Sequence, residues 1–292
     1  MTLIEHLYEL RHRLTIAILA VLLGGVFGFI WFQFPVFGLP TLGTLLTDPY
    51  CSLPSTLRAD ISIDDSCQLL ATAPFEAFML QFKVGLTAGV VLASPIWLYQ
   101  LWGFITPGLY AKERKYALSF VAIAAVLFVA GAMLAYLVVA KGLEVLLNFG
   151  GGQVITALTG DRYFSFILTM LLIFGVSFEL PVLVVMLNRA GVLTYEKLRK
   201  WLRGIVMGLF VFAAVATPSQ DPISMIALAG ALTVLFLIAL VIARFHDRAV
   251  ARARLADGWD GLSDDEATPM DDYQAEPVEE PEPVRRSYDD AT

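Results

Sequence analysis

The chain has 292 residues, 58% of them hydrophobic and 16% charged, with a formal net charge of −7. That composition is too apolar for a soluble domain, and it excludes a basic nucleic-acid binder. The charge is also uneven: residues 257–292 hold 13 acidic and 2 basic side chains, which leaves the first 256 residues at +4.

Residues 2–14 read as an amphipathic helix. Leu7, Leu10 and Leu14 recur at helical spacing while Glu5, Glu9 and Arg13 share another face. Such a segment is expected to lie at the interface before the chain turns into the membrane. Residues 15–34 carry no charge and form the first span. Residues 35–73 hold several prolines and acids but Arg58 as their only cation, so they read as an outer loop. The only two cysteines, Cys51 and Cys67, lie in it. They are the candidate disulfide, the alternative being two unpaired thiols.

Residues 74–102 read as the second span. Glu76 and Lys83, seven residues apart, fall on one helical face and predict an ion pair near the outer interface. Pro95 predicts a kink beside Ser94. Trp97, Tyr99, Trp102 and Tyr110 are of the kind that settles at a membrane–water interface. The turn Thr106-Pro107-Gly108 follows, and the run Lys112-Glu113-Arg114-Lys115 marks a cytoplasmic loop.

Residues 116–140 read as the third span, 141–162 as an outer loop, 163–187 as the fourth span and 188–203 as a basic cytoplasmic loop. The fifth apolar run, 204–216, has only 13 residues. As a helix it would reach about 20 Å, short of a hydrocarbon core of about 30 Å. An outer turn at 217–222 leads to the sixth span, 223–243. Of the Lys and Arg in residues 1–256, 14 fall on the cytoplasmic side and 4 outside, which puts both termini in the cytoplasm. The expectation is an all-α integral membrane protein. It comprises a cytoplasmic N-terminal segment (1–14), a six-helix membrane domain (15–245) and a cytoplasmic, mostly disordered acidic tail (246–292).

No nucleotide-binding loop, HExxH or CxxC pattern is present, and none of His6, His12 and His246 has a second ligand on its own helix. No catalysis, cofactor or metal is therefore expected. Glu179 is the strongest anomaly. An acid in mid-span costs about 2.5–3.5 kcal/mol on insertion scales, so such residues face a cavity or a partner. Pro181 adds to this polarity by leaving the Ser177 carbonyl without its helical donor. The bland alternative is a protonated Glu bonded to a neighbouring helix. Glu9 and Glu113 are two carboxylates on the same membrane face, able to receive cationic groups, although Arg13 competes for Glu9 at i+4.

Four motifs stand in order: His6-Leu7-x-Glu9-Leu10-Arg11-x-Arg13-Leu14, the segment SPIWLYQLWGFITPGLY-x-x-ER from Ser94, Phe178-Glu179-Leu180-Pro181, and Thr217-Pro218 with Asp221. In that spacing the chain resembles the TatC family, the signal-peptide receptors of the twin-arginine protein translocase, over about residues 4–245. The resemblance implies a glove-shaped six-helix protein with a concave face and short fifth and sixth helices. It implies that twin-arginine signal peptides of folded cargo meet Glu9 and Glu113, with Arg11 and Phe104 at further functional positions. It puts Glu179 on the concave face and Asp221 in the last outer turn. Implied partners are TatA/TatB-type single-span proteins along the fifth and sixth helices and other copies of the chain itself. The setting is the cytoplasmic membrane of a prokaryote, with export driven by the proton-motive force. Met225 departs from the family, which often has Gln there. The competing reading is a proton-coupled secondary transporter using Glu179.

Overall fold

The computed structural model describes residues 3–53, 67, 69–105, 114–148, 159–218 and 221–256. Among them are ten helices and no strand, with isolated bridges only at Val36–Leu39 and Leu70–Thr159. Four helical stretches are long and apolar enough to cross a membrane, and a bent helix pair makes a fifth. The acidic tail beyond Ala256, the turn at residues 106–108 and Glu113 lie outside the described residues.

Helix α1 (Leu3–Gln33) runs unbroken through both the amphipathic segment and the first span, so the expected turn between them is absent. No proline or glycine interrupts residues 3–23, and the Thr15 hydroxyl bonds back to the Arg11 carbonyl at 2.8 Å across the junction. The most extensive helix pair is α1 with α3 (Glu76–Leu92). Its seam is built from Gly24 and Gly28 facing Gly85 and Gly89. A Cβ on Gly28 would lie 2.6 Å from that of Ala88, and one on Gly89 would collide with the backbone of Gly25. Both helices carry the small-xxx-small spacing that lets membrane helices approach closely. Gln81 closes the far end of the seam, accepting from Gln33 at 3.0 Å and donating to the Phe29 carbonyl at 3.1 Å.

The outer loop contains a helix the composition did not reveal, α2 (Leu42–Cys51), N-capped by Thr41. Pro49 inside it cannot donate to the Leu45 carbonyl, and the Tyr136 hydroxyl takes that acceptor at 2.8 Å. The buried Tyr163 hydroxyl bonds the next carbonyl, Leu46, at 2.6 Å. Leu46 and Tyr50 thus join the main core with Val139, Tyr163, Ile167 and Phe174. Cys51 and Cys67 are joined as a disulfide with Cα atoms 5.8 Å apart.

The second span is two helices, α3 and α4 (Ser94–Ile105), bent by 58° at Ala93. This is the kink expected from Pro95. The bend separates the Val90 carbonyl from its helical donor, and the Trp97 indole fills the vacancy at 2.9 Å. The expected Glu76–Lys83 pair does not form. Lys83 reaches across to Asp161 at 2.5 Å, while Glu76 accepts from the Thr72 amide at 2.6 Å and the Asp161 amide at 3.1 Å. Asp161 is the nearer partner because α3 and α6 pack side by side.

Helix α5 (Arg114–Asn148) extends through residues expected to be loop, where Lys141 pairs with Glu144 at 2.8 Å. The fourth span is divided at Phe178 into α6 (Gly160–Ser177) and α7 (Glu179–Arg189). Pro181 accounts for the division, since it cannot donate to Ser177. The basic loop holds a short helix, α8 (Tyr195–Lys200). Asp247 fixes it, accepting from the Tyr195 amide at 2.7 Å and from the Asn188 side chain at 2.9 Å. Then follow α9 (Leu202–Ala216), with 15 residues the short apolar helix expected, and α10 (Pro222–Ala256). The sixth helix therefore continues well past residue 243. The first compact unit ends at Asp247 and the second begins at Arg248, both inside α10.

Candidate functional site

One end of α1 meets one end of α4. His6 stacks on Phe104 with ring centroids 4.4 Å apart. Arg13 grips Oε1 of Glu9 through both Nε (2.9 Å) and Nη2 (2.7 Å). Its guanidinium lies so close to Gly103 that a Cβ there would collide with it. Arg11 lies over the Tyr8 ring at 5.2 Å. The structure therefore brings Glu9 and Phe104 to the same corner through Arg13, Gly103 and the His6 stack. Glu113 falls outside the described residues.

The competition between Arg13 and any incoming cation for Glu9 is thus real. It occupies Oε1, while Oε2 has no hydrogen bond or ion pair among the described residues. A helix that holds a carboxylate at fixed orientation with one lone-pair face still open presents a preformed acceptor. A second guanidinium can approach that face without first ordering the side chain.

Glu179 stands elsewhere, as the first residue of α7 after the break at Phe178. Both carboxyl oxygens are buried and neither has full hydrogen-bond geometry, although the Trp102 indole N–H is directed at the group. Trp102 is only 4% exposed and sits in a cluster with Leu98, Phe128, Val182 and Met186. Its expected interfacial role is corrected by this burial: the indole faces the interior acid. At the other end of the same helix, Arg189 lies over the Phe120 ring at 5.2 Å. Asp221 has a local task. It caps α10 by accepting from the Ser224 amide at 2.7 Å, is 2% exposed, and backs onto Gly142, where a Cβ would lie 3.3 Å from its Oδ1.

Residues 5–230 match the family described as Sec-independent protein translocase protein (TatC). The chain belongs to the TatC family. It is 49% identical over 280 residues to the Sec-independent protein translocase protein TatC of Corynebacterium kroppenstedtii, covering 92% of this chain and 67% of that one. It is 46% identical over 279 residues to the protein of the same name from Frankia casuarinae, covering 95% and 75%. A crystal structure titled Twin Arginine Translocase Receptor TatC, determined in the detergent DDM, superposes with a TM-score of 0.66 at 30% identity. It covers 82% of this chain and 99% of that one. As a TatC-family member the chain is a multi-pass membrane protein and a protein translocase component, not an enzyme. That assignment displaces the secondary-transporter reading of Glu179. The glycine seam between α1 and α3 is a feature that reasoning from composition passed over. Its signal, two glycine pairs spaced by four, was present in the sequence.

Proposed function

We propose that this chain is the receptor and assembly subunit of a twin-arginine translocase. It binds the signal peptides of folded cargo at the corner formed by Glu9, Arg11 and Phe104, with Glu113 as a second carboxylate. The observation that carries the reading is the oriented Glu9, held by Arg13 beside the His6–Phe104 stack. Paired arginines suit such a corner because a planar guanidinium makes two parallel hydrogen bonds to a carboxylate, which lysine does not reproduce. In this reading the chain crosses the cytoplasmic membrane of a prokaryote six times with both termini inside, and its helices form a concave, glove-like face. Glu179 keeps that face polar. TatA/TatB-type single-span partners lie along α9 and α10, where Met207, Val211 and Val215 form an exposed apolar row. Other copies of the chain complete the complex, and the proton-motive force drives export.

A double-mutant cycle against Arg→Lys signal peptides tests the binding corner. Charged hydrogen bonds contribute about 1–3 kcal/mol each, so Glu113→Ala should weaken peptide binding about 5- to 150-fold. Glu9→Ala should do so more weakly, because Arg13 already occupies one oxygen. Additive losses, with no coupling between either glutamate and the peptide arginines, would reduce both to solvated charges.

A further inference from the structure

Between α7, α8, α9 and α10 lies an open cleft of about 600 Å³, lined almost wholly by apolar side chains such as Val184, Ile205, Leu209 and Phe236. Lys197 is the one charged residue in the lining, and Trp201, 68% exposed, is the one tryptophan. Lys197 has no ion-pair partner among the described residues, and neither do Arg199, Lys200 and Arg203 around it. Residues 195–203 hold four cations and a single acid, Glu196.

We infer that this cleft binds one anionic phospholipid, with an acyl chain along the apolar wall and the phosphate at Lys197. Three observations choose that occupant. The first is size. The cleft's volume of about 600 Å³ falls within the range of small-ligand sites. The second is charge. An ammonium on a wall of otherwise apolar residues, with three more cations close in sequence, complements a phosphate and repels a cationic head group. The third is Trp201, an amphipathic ring on the exposed side of the cleft, where the boundary between tails and head groups would fall. A groove of about 590 Å³ between α1 and the α3–α4 bend shares the first feature but has no charged residue in its lining, so it carries no such argument. The site also differs from the proposed helix-docking row. On α9 the cleft takes Ile205 and Leu209, whereas Met207 and Val211 point to the other side of the helix.

The test uses the full chain in vesicles of one composition in both leaflets, so it is independent of orientation. Quenching by phosphatidylglycerol or phosphatidylcholine brominated in the acyl chain is compared, and the signal of Trp201 is isolated by difference from Trp201→Phe. One basic residue at an anionic surface contributes about 1 kcal/mol, so phosphatidylglycerol should quench Trp201 at about fivefold lower mole fraction. Lys197→Gln should abolish that preference, and Lys141→Gln, at the far end of α5, should keep it. Equal quenching by both lipids, or a preference untouched by Lys197→Gln, would overturn the assignment. So would quenching that a co-reconstituted single-span partner abolishes for both lipids alike, which would make the cleft a helix site.

Discussion

Two spans of this protein are broken, and the breaks are not equivalent. At Ala93 the chain bends by 58° before Pro95, and the carbonyl that the bend exposes is taken at once by the Trp97 indole. At Phe178 the chain breaks before Pro181, and the residue set at the break is an acid, Glu179, whose buried oxygens lack full hydrogen bonds. Leaving a buried polar group unsatisfied costs about 1–3 kcal/mol, more if it is charged. A break that supplies its own donor is a piece of architecture. One that places an acid inside a membrane protein is, in the reading proposed above, the functional one.

The largest expected effect breaks the second site. Glu179→Leu should slow export by about a hundredfold or more, the equivalent of about 3 kcal/mol. Glu179→Gln, which keeps hydrogen-bonding capacity, should be mild. Initial export rates at matched protein level measure both, and equal severe losses would point to a titrating carboxylate. Next comes the seam that anchors the first break. Gly89→Leu drives a side chain into the Gly25 backbone and should cost about 1–3 kcal/mol or more, read as lower thermal stability in detergent and loss from the membrane.

Smaller still are the sealing bonds. Trp97→Phe leaves the Val90 carbonyl without its indole and should cost about 1–2 kcal/mol, while signal-peptide affinity stays unchanged. Tyr136→Phe repeats that experiment at Pro49 in α2, where the carbonyl is nearer water and about 1 kcal/mol or less is expected. A drop in peptide binding with Trp97→Phe would mean that the first break is functional too, and the contrast would fail. The smallest effect belongs to the tail: truncation after Leu255 should leave export intact, because a segment with 13 acids, 2 bases and few large apolar residues has no composition for a packed core.

The sequence was most informative where a residue's physics is local. Pro95 forecast the first break, and Pro181 marked the unpartnered Ser177 carbonyl beside the second, because a missing N–H acts within one turn. The Glu9–Arg13 pair followed from i,i+4 spacing alone. What stayed hidden was long-range. Lys83 chose Asp161 over Glu76, and Trp102 turned inward to Glu179, through helix packing that no single segment encodes. Helix α2 was missed because Pro49 argues against a helix, and the compensating donor to Leu45, Tyr136, lies 91 residues from it. The lengths of α5 and α10 were underestimated because apolar runs mark the hydrocarbon core, whereas a helix continues into water where nothing breaks it.

The receptor assignment rests on the corner where α1 meets α4, and site-specific photocrosslinking addresses it directly. A photoreactive residue replacing Phe104 or His6 should capture a twin-arginine signal peptide. Capture should fall sharply when both peptide arginines are lysines, while the same probe at Val215 should show no such dependence. Equal capture of the two peptides at Phe104, or arginine-dependent capture at Val215 alone, would contradict the placement of the receptor at this corner.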